Sequence, residues 1–189
     1  MKNFSLFVTD SCSDRLFDYP CVNPNSNYLT DKKISLFGDN CEDVAAFFMA
    51  HHANVIINPS NKDTSFSQLG IVLPIGISED TEQGYYRVLD YYVETLQLLI
   101  HKLAGTDEYT HIVVLLPPHS DEMDISFLRM AYYAVYGLVM GLGKLNAYKR
   151  VFINGIIPSE NLAEDTLFRW VKFLLSDNSN NIVGQVIKL

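Results

Sequence analysis

Positive charge is scarce in this 189-residue chain. Fourteen lysines and arginines stand against 22 aspartates and glutamates, for a formal net charge of −8. That balance offers no basic face to a nucleic-acid backbone, so no nucleic-acid partner is expected. Averaged over the chain, it also argues against attraction to anionic membranes. Cysteine is sparse too. Cys12, Cys21 and Cys41 are an odd number at wide spacing, which excludes a disulfide framework and a C-x-x-C zinc site. Thiols in a reducing compartment are expected, and with them a cytoplasmic protein. Long apolar runs are missing, and no charged-then-apolar leader opens the chain, so no membrane insertion is expected. What the chain has in quantity is apolar residues, 48% of the total, enough for one well-buried domain.

Glycine is missing where it would matter most. Lys32 to Asn58 reads KKISLFGDNCEDVAAFFMAHHANVIIN, which is an apolar strand, a glycine, a polar turn, an apolar helix and a second strand. This is the opening βαβ of a dinucleotide-binding fold, whose glycines let backbone approach a pyrophosphate at a helix N-terminus. Only Gly38 is present. Glu42 and Val44 stand where further glycines belong, with Asp39 and Asp43 nearby. Carboxylates in a first helical turn suit free N–H groups and the helix dipole, and they repel pyrophosphate. The turn is expected to cap a helix, with Gly38, Asp39 and Glu42 as the vestige of a cofactor site.

Residues 1–32 form an arm rich in Asn, Ser, Asp and Pro, with one alternating segment, Phe4 to Thr9, that suits an edge strand. From residue 33 to 189 the pattern is regular. Strands are expected at Ile34–Phe37, Asn54–Ile57, Gly70–Pro74, His111–Leu116, Arg150–Asn154 and Ile182–Lys188. Helices are expected at Cys41–His51, Thr81–Leu103, Ile125–Leu145 and Ala163–Leu175. Short continuous apolar strands alternating with helices imply a single α/β domain, Rossmann-like and doubly wound, with a mostly parallel sheet.

Three segments of the second half carry a family resemblance. They are Tyr132–Ala147 (YYAVYGLVMGLGKLNA), Lys149–Pro158 (KRVFINGIIP) and Ala163–Leu189, with Phe173–Asp177 and Gly184–Gln185 in register. They resemble the active-site helix, the strand after it and the C-terminal turn of short-chain dehydrogenase/reductases. The resemblance implies a proton-relaying tyrosine at Tyr132, but Tyr136 replaces the lysine four residues on. The serine position falls at His119, beside Ser120, and the asparagine position maps to Glu94. Leu73–Pro74–Ile75–Gly76 replaces the family's N-N-A-G turn. Only twelve residues, Pro59 to Gly70, separate the second strand from the next, so the family's third-strand region is expected to be missing. The second strand then becomes a sheet edge, and Phe4–Thr9 is expected to cover a sheet edge or to pack over the vacated adenine site.

Without a nearby cation a phenol keeps a pKa of about 10 and is a poor base at neutral pH. His119–Ser120 reads as a polar loop, Asp121–Glu122–Asp124 as a helix start, and His51–His52 as a helix C-cap. The helices at 81–103 and 125–145 are apolar and aromatic nearly all round, so each needs more than one buried face. In the resembled family the corresponding helices form a dimer interface. Tyr85, Leu89, Tyr92, Leu96, Met130, Tyr133 and Met140 are therefore expected at an interface with a protein partner, either a second copy or another chain. The reading that follows is a non-catalytic scaffold, adaptor or regulatory subunit with no cofactor and no metal. An atypical NAD(P)-dependent oxidoreductase using Tyr132 is the alternative, and a pocket that senses a small molecule without turnover is a third.

Overall fold

The computed structural model describes residues 29–60, 69–76, 80–103, 108–117, 127–159 and 161–189. Six strands form one parallel sheet: β1 (Lys33–Phe37), β2 (Asn54–Ile57), β3 (Leu69–Val72), β4 (Thr110–Leu115), β5 (Val151–Ile157) and β6 (Val186–Lys188). Their order across the sheet is β2-β1-β3-β4-β5-β6. Four helices connect them: α1 (Cys41–Ala50), α2 (Glu82–Leu103), α3 (Phe127–Asn146) and α4 (Glu164–Leu174). This is a Rossmann-like three-layer α/β fold, and its elements fall within a few residues of those expected from apolar runs and periodicity. Among the described residues β2 is an edge of the sheet, as the missing third-strand region implied.

Strand alternation sorts the core into two layers. Ile34, Leu36, Ile71, Val113, Leu115 and Ile156 meet α1 and α4, where Phe47 and Phe168 lie 4.7 Å apart between ring centroids. Phe37, Val72, Ile112, Val114, Val151 and Ile153 face α2 and α3. The sheet-facing stripe of α2 is Val88, Tyr92, Leu96, Leu99 and Leu103, at helical spacing. Helices α2 and α3 also pack on each other, which gives each the second buried face that its composition required. Helix α3 meets the C-terminal loop by removing side chains altogether. A Cβ on Gly143 would lie 2.5 Å from Gly184 Cα and 2.6 Å from the Ile153 carbonyl.

The helix ends follow local chemistry. His51 Nδ1 donates to the Phe47 carbonyl at 2.9 Å, and His52 takes a left-handed conformation as its N–H bonds Met49, so the pair caps α1 as its position implied. Thr81 Oγ1 accepts from the Gly84 N–H at the start of α2. Asp80 accepts from the Leu128 N–H in the first turn of α3. The expected start signal at Ser120–Asp124 lies outside the described residues, as do Phe4–Thr9 and most of the arm. The last residues of the arm are described, and they dock: Leu29 is buried in the core and the Asp31 N–H bonds the His52 carbonyl.

Candidate functional site

Strand β1 continues to β2 on one side and pairs with β3 on the other. The chain therefore leaves β1 and β3 toward opposite faces and opens a crevice at their C-terminal ends. In α/β sheets ligands bind at this kind of switch point. The crevice here is an open cleft of about 690 Å³. Gly38 and Asp39 line it from the end of β1, Asn58 from the end of β2 and Ile75 from the loop after β3. One stripe of α2 closes it: Gln83, Tyr86, Arg87, Asp90, Tyr91 and Glu94.

Several backbone groups at the mouth of this crevice, the Gly38 N–H among them, are engaged by the chain itself. Asn58 Oδ1 accepts from the Gly38 N–H at 3.0 Å, and its Nδ2 donates to the Gly38 carbonyl at 3.2 Å. Cys41 Sγ donates to the same carbonyl. Asp39 Oδ2 accepts from the Gly76 N–H at 2.8 Å and so bridges the turns after β1 and β3. The Tyr91 hydroxyl donates to the Leu73 carbonyl at 3.0 Å. Gly38 itself cannot be anything else. Its φ is +120°, and a Cβ there would lie 2.8 Å from the Leu73 carbonyl oxygen and 3.0 Å from the Tyr91 hydroxyl. The close approach that glycine permits is taken up by the chain's own β3–α2 loop.

This corrects the expected role of the acidic turn. Asn40 occupies the N-cap of α1 in a left-handed conformation and makes no side-chain cap bond. Asp39 reaches across the crevice and leaves the helix end alone. Glu42 and Asp43 remain exposed in the first turn, where they suit the dipole. Val44, at a position where the family resemblance implies glycine, is buried in the core.

Among the described residues the cleft is acidic, with Asp39, Asp90 and Glu94 against the guanidinium of Arg87. Burial, followed by the nearby charges of Glu42 and Asp39, pushes the Cys41 thiol above its ordinary value, so it stays protonated and unreactive. Burial does the same to the Tyr91 phenol, with smaller contributions from Cys41 and Asp39. No group of three or more metal-ligating side chains is assembled among the described residues.

Of the residues expected at a catalytic centre, Tyr132, Tyr136 and Glu94 are described. Tyr132 is half-buried against the layer between α2, α3 and the sheet, and burial holds its phenol above the ordinary value. Tyr136 lies one turn further along the same helix, half-buried. His119 and Ser120 lie outside the described residues. Glu94, at the mapped asparagine position, lines the cleft.

Two expected interface residues are core residues. Tyr92 and Leu96 are fully buried, and the Tyr92 hydroxyl donates to the Leu115 carbonyl at 3.0 Å. The spacing Val88–Tyr92–Leu96–Leu99–Leu103 carried that information, since of two adjacent tyrosines only one can face the sheet. Tyr85, Leu89 and Met140 are half-buried, while Met130 and Tyr133 are open to solvent. Tyr86 and Phe127, on the same two helices, are also exposed. It also missed Asn58, Arg87, Asp90 and Tyr91. The one available signal was the place of Asn58 directly after the second strand, where α/β folds put their ligand contacts.

No protein-family model matches this chain, and no curated protein matches it. Solved structures do. An enoyl-[acyl-carrier-protein] reductase (NADH) from Aquifex aeolicus superposes with a TM-score of 0.68 at 16% identity, over 85% of this chain and 95% of that one. A short-chain dehydrogenase/reductase from Serratia marcescens gives 0.63 at 13% identity, over 85% and 96%. A short-chain dehydrogenase from Leptospira borgpetersenii with bound NAD+ gives 0.58 at 13% identity, over 86% and 92%. At these identities the likeness establishes the fold: the chain has the fold of short-chain dehydrogenase/reductases.

Proposed function

We propose that this protein is a non-catalytic member of the short-chain dehydrogenase/reductase fold that works as a scaffold or regulatory subunit. A protein partner would be held on the outer face of α2 and α3. One observation carries the non-catalytic half of the reading. The Gly38 turn, which in this fold lies open to a pyrophosphate, is clamped by Asn58, while Asp39 and Tyr91 hold the facing β3–α2 segment at Gly76 and Leu73, and the cleft carries three carboxylates among the described residues. Burial, which holds the Tyr132 phenol above its ordinary value, supports the same reading.

The partner face rests on Met130 and Tyr133, which are exposed one turn apart on α3, and on Phe127, exposed at its start. Arg129 lies 5.8 Å from the Tyr133 ring centroid, and Tyr and Arg are frequent anchors at protein interfaces. Half-buried Tyr85, Leu89 and Met140 would border the contact. The runner-up is an NAD(P)-dependent oxidoreductase using Tyr132, favoured by the NAD+-bound Leptospira neighbour. The cleft itself keeps a small-molecule sensor in view.

Calorimetric titration with NADH and NADPH separates the readings. Lack of binding by the folded protein is the expected result. Micromolar binding, with turnover lost in Tyr132→Phe, would replace the scaffold reading by the enzyme. For the partner face, light scattering of Met130→Glu and Tyr133→Glu should show loss of assembly with the fold intact. Leu96→Glu cannot serve as that test, because it places a charge in the core.

A further inference from the structure

Strand β2 is an unguarded edge. It reads Asn54-Val55-Ile56-Ile57, and among the described residues it pairs with β1 alone. The ladder fixes which of its backbone groups are used. The Asn54 N–H bonds the Lys32 carbonyl at 2.8 Å, and the Asn58 N–H bonds the Leu36 carbonyl at 2.7 Å. A period of two puts Ile56 in the same series, so the N–H and C=O of Val55 and Ile57 point away from β1. Natural edges are blunted by lysine, proline or a bulge. This strand has none of these: its register with β1 runs unbroken, and three consecutive β-branched apolar residues fill it. Ile57 is 44% exposed, and Val55 and Ile56 are half-buried. The described end of the arm arrives at this edge. Leu29 is buried in the layer that Val55 packs against, and the Asp31 N–H bonds the His52 carbonyl just before β2. The other edge, β6, lies on the far side of β3, β4 and β5.

We infer that Phe4–Thr9 of the arm pairs with the outer edge of β2 and adds a strand to the sheet. The segment reads FSLFVT, rich in β-formers, and Phe4, Leu6 and Val8 share one face as Val55 and Ile57 do. Its tether suits the task. The nineteen residues from Asp10 to Tyr28 have an r.m.s. span of about 20–25 Å as a flexible chain, against about 13 Å for the four residues of β2. Two other occupants fit less well. The eight residues from Asn61 to Gln68 also follow β2, but Leu69 already pairs with Ile34 on the far side of β1. A position beyond β2 is three strand spacings, about 14 Å, from β3, which takes about four extended residues. A reversing turn takes about two more, which leaves too few to make a strand. A second copy has its own β2 edge to offer. It competes at micromolar concentration with a tethered segment whose effective concentration is on the order of millimolar.

The test is amide hydrogen exchange of the full chain, resolved residue by residue by NMR. The N–H groups of Val55 and Ile57 are expected to be protected, as that of Ile56 is by β1. In Leu6→Pro/Phe7→Pro, which puts a proline on whichever parity faces β2, their protection should fall about tenfold or more while Ile56 changes little. A chain lacking residues 4–9 should behave alike, and circular dichroism would check that each variant is folded. A second readout needs no variant: cross-strand nuclear Overhauser contacts should link the backbone of Phe4–Thr9 to Val55 and Ile57 in the parent. Unprotected Val55 and Ile57 in the parent, or the lack of those contacts, overturns the inference. Protection that survives both variants overturns it in favour of another segment. Protection that appears only as protein concentration rises overturns it in favour of a second copy.

Discussion

Two asparagines, one in each half of the sheet, make the same pair of bonds with opposite consequences. Asn154, on β5, donates to the Ile182 carbonyl at 2.8 Å and accepts from the Gln185 N–H at 3.1 Å. Asn58, after β2, closes on both backbone groups of Gly38. Asn154 is 1% exposed and ties the C-terminal loop to the sheet, in the half whose sequence most resembles an active reductase. Asn58 is exposed, and its clamp sits at the mouth of the switch-point crevice. An amide clamp in the interior is structure, because nothing else could satisfy those groups. A clamp at a site mouth replaces bonds that water or a ligand would otherwise make, so it changes access far more than stability.

Breaking the interior half should be costly. Gly143→Ala is expected to destabilise most, by about 3 kcal/mol, because its Cβ would meet the backbone of Gly184 and Ile153, which no rotamer change relieves. Urea unfolding of the variant measures this. Asn154→Ala follows, at about 2–3 kcal/mol, since it strands a donor and an acceptor away from solvent. Its thermal unfolding should show a clear loss without a change in the early turn. At the mouth, Asn58→Ala should cost only about 0.5–1 kcal/mol, with water taking over the freed groups of Gly38. The comparison sharpens if this variant is paired with Asp39→Asn. Should the double variant gain NADH binding in a calorimeter where the parent has none, the clamp and the charge are what exclude the cofactor. If the gain is nil, the cleft is closed by something deeper than these two side chains.

The smallest effect concerns pH. His111 on β4 is buried, with Nδ1 3.5 Å from Ser179 Oγ and Nε2 3.7 Å from the exposed carboxylate of Asp177. Burial lowers its pKa below the ordinary value, and Asp177 only partly opposes this. The folded state therefore binds fewer protons than the unfolded chain in the window between the lowered pKa and about 6.5. Stability is full above that window and declines as pH falls through it. A melting series from pH 7.5 down to about 5 should show this decline, flattened in His111→Gln. An unchanged slope in the variant would place the sensitivity elsewhere.

The fold was legible because its signals are local and redundant. Continuous apolar strands, two long periodic helices and the His51–His52 cap each follow from a few neighbouring residues. The candidate site was legible only in the negative. The missing glycines and the missing lysine could be read, and so could acids near a turn. What those acids do could not, because Asp39 finds its partner at Gly76 and Asn58 finds its partner at Gly38, over separations that the chain closes only in space. The Tyr92 and Leu96 error has a different origin. The spacing Val88–Tyr92–Leu96–Leu99–Leu103 marks the sheet-facing stripe of α2, and only its second buried face depends on where α3 packs.

The sequence by itself determined the parallel α/β layering and, among the described residues, the edge position of β2, since period and segment length act over a few residues. The tertiary structure alone decided that the switch-point turn is held by its own chain. That outcome depends on loops that a parallel sheet brings to the same end, and the juxtaposition is a property of the topology rather than of any one stretch of chain.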